Sequence, residues 1–183
     1  MKVINTSLSG VLILEPEVFG DRRGFFKESF NAKRYSEVGI DLLFVQDNCS
    51  RSQRGVLRGL HFQKMRPQGK LVSCSAGCVY DVAVDINPSS STFGQYVGAE
   101  LSDENHRQLW IPPGYAHGFC VLSKSADFHY KCTDFYDPND EGGLLWSDPS
   151  VAIDWPITNP SLSSKDRNLP TLIDIKKNLE LKG

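Results

Sequence analysis

The chain has 183 residues, 40% of them hydrophobic, with no low-complexity linker, so it can form one domain over residues 1–183 with a sizeable core. Its 20 Lys and Arg and 22 Asp and Glu give a net charge of -2 with the signs interspersed. That excludes a basic tract for nucleic acid and leaves any anionic ligand to a few local cationic side chains.

No run stays apolar over the roughly 20 residues of a membrane span, and Met1 to Thr6 has no long apolar stretch, so no membrane association and a cytoplasmic location are expected. Strand-like runs then follow from Val11 to Leu14, Gly24 to Phe30, Leu43 to Asp47, Val56 to Phe62 and Lys70 to Ser75. Further runs extend from Cys78 to Ile86, Tyr96 to Leu101, Gln108 to Ile111, His117 to Leu122 and Ala126 to Phe135. Gly, Pro, Asn and Ser separate them at the intervals of an antiparallel sandwich or barrel. Helix is scarce: Asn31 can cap a short helix from Ala32 to Val38 that Gly39 stops, and Ile173 to Leu181 is a weak amphipathic tail. Asp148 to Pro170, rich in Pro, Ser and Asp, reads as a looping segment that can lay the turn Ser163 to Arg167 over a barrel mouth or leave it as an ordinary charged surface turn.

Cysteines at 49, 74, 78, 120 and 132 are odd in number and lack C-x2-C spacing, so neither a disulfide framework nor a structural zinc site is expected. Two histidine-bearing runs carry more information. In Arg58 to Gln63 (RGLHFQ), ideal alternation places Leu57, Gly59 and His61 on one face and Val56, Arg58, Leu60 and Phe62 on the other. Alone, His61 reads as a buried structural histidine; with Lys70 nearby, a base and a cation can share a pocket. In Val79 to Ile86, Val79, Asp81, Ala83 and Asp85 share a face that points either to a lumen or to solvent.

The run Trp110 to Phe119 holds a P-x-G-x-x-H pattern that resembles the second half of the cupin signature. The first half lacks its His-x-His pair, because His61 is followed at the second position by Gln63, and the chain has only four histidines. A metal-free barrel is therefore expected. The joint occurrence of RGLHFQ, QGKLV, DVAVDI, QLWIPPGYAHGF, FHYKCTDFY, GLLW and SSKDRNLP, from about Val11 to Leu172, resembles the dTDP-4-dehydrorhamnose 3,5-epimerase family.

The resemblance implies an all-β fold, a cupin-type double-stranded β-helix or jelly roll with a few short helices and a looping C-terminal segment. It implies a homodimer without cofactor that acts on dTDP-4-dehydro-6-deoxyglucose in dTDP-rhamnose biosynthesis, a pathway of carbohydrate and lipopolysaccharide O-antigen assembly. On the same resemblance His61 is the base, Asp166 the carboxylate that orients it, Tyr130 the proton donor and Lys70 the cation near the sugar's C4 oxygen. Arg23, Phe26, Glu28, Gln46, Asp47, Asn48, Arg58, His117, Glu141 and Lys165 are the implied substrate-binding residues. Asn87 and Ser91 depart from the basic residue and proline usual after the VDI run. A metal-dependent cupin enzyme, a single-site epimerase and a non-catalytic sugar-nucleotide binder are the alternatives. The missing His-x-His disfavours the first, local sequence does not separate the second, and the last has no use for His61, Tyr130 and Asp166 together.

Overall fold

The computed structural model describes residues 1–180, with side-chain surroundings through residue 178. In chain order the described strands are β1 (Lys2–Asn5), β2 (Leu12–Glu15), β3 (Val18–Asp21), β4 (Gly24–Lys27), β5 (Gln46–Gln53), β6 (Leu57–Gln63) and β7 (Lys70–Ala76). They continue with β8 (Cys78–Asp85), β9 (Tyr96–Ser102), β10 (Gln108–Ile111), β11 (Tyr115–Val121), β12 (Ser125–Cys132) and β13 (Glu141–Gly143). Three short helices accompany them: α1 (Ala32–Ser36), α2 (Ser164–Arg167) and α3 (Leu172–Glu180).

The strands form a six-stranded sheet ordered β1-β2-β10-β7-β12-β5, a five-stranded sheet ordered β13-β6-β11-β8-β9, and a separate β3-β4 ribbon. All the pairings within these sheets are antiparallel. Val72, Leu109 and Phe128 from the first sheet meet Val79, Leu101 and Phe119 from the second in a buried layer between them. This is the expected jelly-roll arrangement, in which each sheet buries one face against the other.

Two further clusters cover outer faces. Leu57, Leu60, Phe62, Val82 and Val84 pack under the C-terminal segment through Val151, Trp155, Leu172 and Ile175. Leu14, Leu71 and Trp110 pack under Tyr35 and Ile40, next to α1. Asn31 caps α1 as its side-chain oxygen accepts the Arg34 N–H at 3.2 Å. The turn at 163–167 is a single helical turn, capped when Ser163 Oγ accepts the Asp166 N–H at 3.0 Å. Helix α3 matches the expected tail, whose last residue, Leu181, lies outside the described residues.

Several strand expectations need correction. The run at Leu43 to Asp47 is mostly loop, and the strand begins at Gln46 and runs to Gln53. Its inward positions Gln46, Asn48, Ser50 and Ser52 are polar, so no hydrophobic alternation marks it. The strands from Gly24 and into Phe135 stop at Lys27 and Cys132, and β1, β3 and β13 were not expected at all.

The ideal alternation of β6 also fails. His61 pairs with His117 on β11, yet Arg58 pairs with Phe119, so β6 carries one residue more than β11 between those pairs. This bulge puts Arg58 and His61 on one face and turns Leu57, with Leu60 and Phe62, to the other. Gly59 permits it: its φ is +113°, and a Cβ there would lie 2.7 Å from the Gly118 Cα. On β8, Asp81 faces inward, fully buried, while Asp85 anchors the loop after it by accepting from Asn87 N, Ser90 Oγ and Thr92 Oγ1.

Candidate active site

A cavity of about 240 Å³ opens between the two sheets, and His61, Lys70, Tyr130 and Glu141 all line it. His61 comes from the five-stranded sheet; Lys70 and Tyr130 come from the facing one, where β7 and β12 are neighbours. The sandwich therefore sets an imidazole opposite a phenol, with an ammonium beside the phenol.

His61 Nε2 lies 2.7 Å from Asp166 Oδ1, and the Asp166 side chain is buried. The capped turn of α2 fixes that carboxylate, so one ring nitrogen of His61 is committed to it and the other carries the lone pair. Burial pulls the His61 imidazole below its ordinary pKa, and Lys70 pushes the same way, while Asp166 and Glu141 pull it up. The ring is thus held neutral at neutral pH, in the form that accepts a proton.

Burial raises the Tyr130 phenol above its ordinary value, against the charge of Arg58, and keeps it a proton donor. Lys70 is 9% exposed, and none of the described side chains hydrogen-bonds its ammonium. Burial pushes Lys70 down from the ordinary lysine value, while Cys132, Asp81 and Glu141 favour its charge. A desolvated cation without a hydrogen-bonding side chain is poised to meet negative charge developing on a ligand.

The remaining expected residues divide by position. Gln46 and Asn48 line the cavity, but Asp47 between them points outward and pairs with Lys131 at 2.8 Å, as strand alternation requires. Arg58 shares the His61 face and donates from Nε to Ser52 Oγ at 3.0 Å. Glu141 accepts the Tyr136 hydroxyl at 2.7 Å and pairs with Lys165, the residue before Asp166.

His117 does not line the cavity. It is 7% exposed, its Nε2 lies 2.9 Å from Asp81 Oδ2, and its ring stacks near Phe128. Arg23, Phe26 and Glu28 are also elsewhere. Arg23 is bonded to Asp21 on the β3-β4 ribbon, Phe26 is 70% exposed, and Glu28 pairs with Arg34. Sequence reasoning missed Gln63, Gln68, Cys132 and Tyr136 as lining residues. Gln63 and Cys132 stand two residues after His61 and Tyr130 on the same strands, so alternation could have found them, whereas Gln68 and Tyr136 lie in loops and enter the cavity only through the fold.

Among the described residues no three His, Cys, Asp or Glu side chains are grouped so as to hold a metal ion. No described helix is long and apolar enough to cross a membrane.

Residues 5–174 match the family model described as dTDP-4-dehydrorhamnose 3,5-epimerase. The chain is 59% identical over 177 residues to the dTDP-4-dehydrorhamnose 3,5-epimerase of Shigella flexneri, covering 95% of this chain and 97% of that one. It is 56% identical over 175 residues to the enzyme of the same name from Salmonella typhimurium, covering 94% and 96%. Among solved structures it is similar to a dTDP-6-deoxy-D-glucose-3,5-epimerase from Legionella pneumophila Philadelphia 1 in complex with dTDP-4-keto-L-rhamnose. That match has a TM-score of 0.94 and 57% identity, covering 97% and 96% of the two chains.

Proposed function

The chain belongs to the dTDP-4-dehydrorhamnose 3,5-epimerase family, and we propose that it inverts C3 and C5 of dTDP-4-dehydro-6-deoxy-D-glucose to give dTDP-4-dehydro-L-rhamnose. The observation that carries the catalytic assignment is the His61–Asp166 pair facing Tyr130 across one cavity that also holds Lys70.

The C4 ketone acidifies the protons on both neighbouring carbons, so removing either gives an enolate. His61 takes the proton, and Asp166 stabilises the imidazolium that results. The enolate oxygen at C4 gains charge that the substrate ketone lacks, and Lys70 meets it there, favouring the transition state over the ground state. Tyr130 then donates to the carbon from the other face, which inverts it. The imidazolium then gives its proton to solvent and the phenolate takes one back, and a turn of the ring brings the second carbon to the same groups.

The test is incubation with dTDP-4-dehydro-6-deoxyglucose in D2O, following C3 and C5 by NMR, with and without exhaustive EDTA treatment. Deuterium should enter both carbons at the same rate in either sample, since His61 is followed by Gln63 and not by a second histidine ligand. Loss of exchange in EDTA, restored by one divalent ion, would show a metal-dependent enzyme.

A cavity of about 240 Å³ suits a sugar ring, so the nucleotide must extend past the mouth. Arg23 and Phe26 of the ribbon and Glu28 just after it do not line that cavity in their own chain, and Phe19, Phe25 and Phe26 are all exposed on the ribbon. These facts support a homodimer in which each ribbon reaches the site of the other copy. Light scattering should give twice the 20.4 kDa of one chain. Mixing two inactive variants, His61→Ala and Arg23→Ala with Phe26→Ala, should restore part of the activity. A monomeric mass, or no recovery after subunit exchange, would refute the arrangement.

A further inference from the structure

Gln63 is the cavity residue that the proposed chemistry leaves unused and that the structure constrains most. It follows His61 on β6 at the second position, where a His-x-His pair would place a metal ligand, and it is 4% exposed. Its amide is already engaged. Oε1 accepts the Asp137 N–H at 3.1 Å, and Nε2 donates to the Asp137 carbonyl at 3.4 Å and to Asp140 Oδ2 at 3.3 Å.

Asp140 extends the tie. Its carboxylate accepts the N–H groups of Met65 and Arg66, both at 2.9 Å, so the loop leaving β6 and the segment arriving at β13 meet at one point. From the facing sheet, Gln46 Oε1 accepts the Tyr136 N–H at 2.9 Å. Two glutamine amides, one from each sheet, thus hold consecutive peptides of the segment that joins Tyr136 to Glu141.

We propose that Gln63 is a positioning residue for the nucleotide sugar: it clamps the Tyr136 to Glu141 segment onto the catalytic strand and sets the cavity mouth before substrate arrives. A glutamine amide offers a donor and an acceptor side by side, so it can bond both the N–H and the C=O of one residue, here Asp137, which no apolar side chain of that size can do. The inference rests on the reading that the nucleotide crosses this mouth.

Gln63→Leu keeps the volume and removes the clamp. It should weaken dTDP binding and raise KM about tenfold, with kcat changed less than about threefold, the pattern of lost binding shared by ground and transition states. Gln63→Glu supplies a sharper reading. Position 63 faces the Asp140 carboxylate and the Asp137 peptide, with Glu141 as its cross-strand partner. The introduced carboxylate repels Asp140 when ionised, whereas its protonated form restores both donor and acceptor, so dTDP binding by this variant should recover as pH falls relative to wild type.

The experiment combines calorimetric titration with dTDP, steady-state kinetics, and 19F NMR of 3-fluorotyrosine-labelled, ligand-free protein, with the Tyr136 signal assigned through Tyr136→Phe. The six tyrosines keep that spectrum simple. Broadening or splitting of the Tyr136 signal in Gln63→Leu supports the clamp, and an unchanged signal with unchanged dTDP affinity overturns it. A fall in kcat at constant KM also overturns it, since Gln63 would then touch the reacting sugar. Should wild type bind no dTDP, the nucleotide reading fails, while the ligand-free 19F signal still decides the clamp. If Gln63→Leu does not fold, the pH-dependent recovery of Gln63→Glu decides instead.

Discussion

Replacing His61 with alanine should abolish deuterium exchange at both C3 and C5, because one imidazole serves both carbons: no other described histidine lines the cavity, and the Glu141 carboxylate is engaged by Tyr136 and Lys165. General-base catalysis contributes about 10²- to 10⁴-fold, so turnover should fall by at least the upper part of that range. Binding of dTDP should persist. The partner experiment is Asp166→Asn, which keeps the shape and hydrogen-bonding reach of the side chain but not its charge. Asp166 raises the proton affinity of His61, opposing the burial that lowers it. Removing that charge therefore moves the acidic limb of the kcat/KM profile to lower pH, since the imidazole stays neutral further down. It also lowers the plateau, by about 10²-fold, because the imidazolium formed in the reaction loses its counter-charge. Exchange at wild-type rate at either carbon in His61→Ala would refute the single-base assignment, and an acidic limb that moves up in Asp166→Asn would refute the dyad.

Tyr130→Phe should separate two events that the wild-type enzyme performs together. The ring keeps its volume against Phe128 and loses only the acidic proton. His61 can still abstract and return a proton on its own face, so washout of label into solvent should continue. Reprotonation from the Tyr130 side should fail, and inverted product should fall by about 10²-fold. The facing positions of β6 and β12 in opposite sheets make this expectation specific. Near-normal formation of the 3,5-inverted sugar, measured by coupling to a reductase that consumes it, would reduce Tyr130 to a packing residue.

The residues to which we assign this chemistry were legible in the chain because they sit in short runs that carry the family resemblance. RGLHFQ, FHYKCTDFY and SSKDRNLP each present one reactive group within a patterned stretch. Most of the strands of the two main sheets were legible for a different reason, as alternation records which side of a strand meets apolar neighbours. The same rule misread β5, whose inner positions are polar and of which Gln46 and Asn48 line the cavity. It also misread Leu57 and Arg58, because a single extra residue at Gly59 and Leu60 reverses every assignment before it.

The sequence by itself determined the strand-rich antiparallel character of the fold, and through its family resemblance it pointed to His61, Tyr130, Lys70 and Asp166 as the residues to which we assign the chemistry. Only the tertiary structure decided that His61 and Tyr130 stand on facing sheets and that Asp47 turns away while Gln46 and Asn48 turn in. It alone placed His117 against Asp81 and made Tyr136 and Gln63 parts of the mouth. The physical reason is range. Hydrophobic period and turn chemistry act between residues a few positions apart and specify each strand. The site is instead assembled from residues 61, 70, 130 and 166, whose approach depends on how two sheets and a capped helical turn bury their apolar faces together.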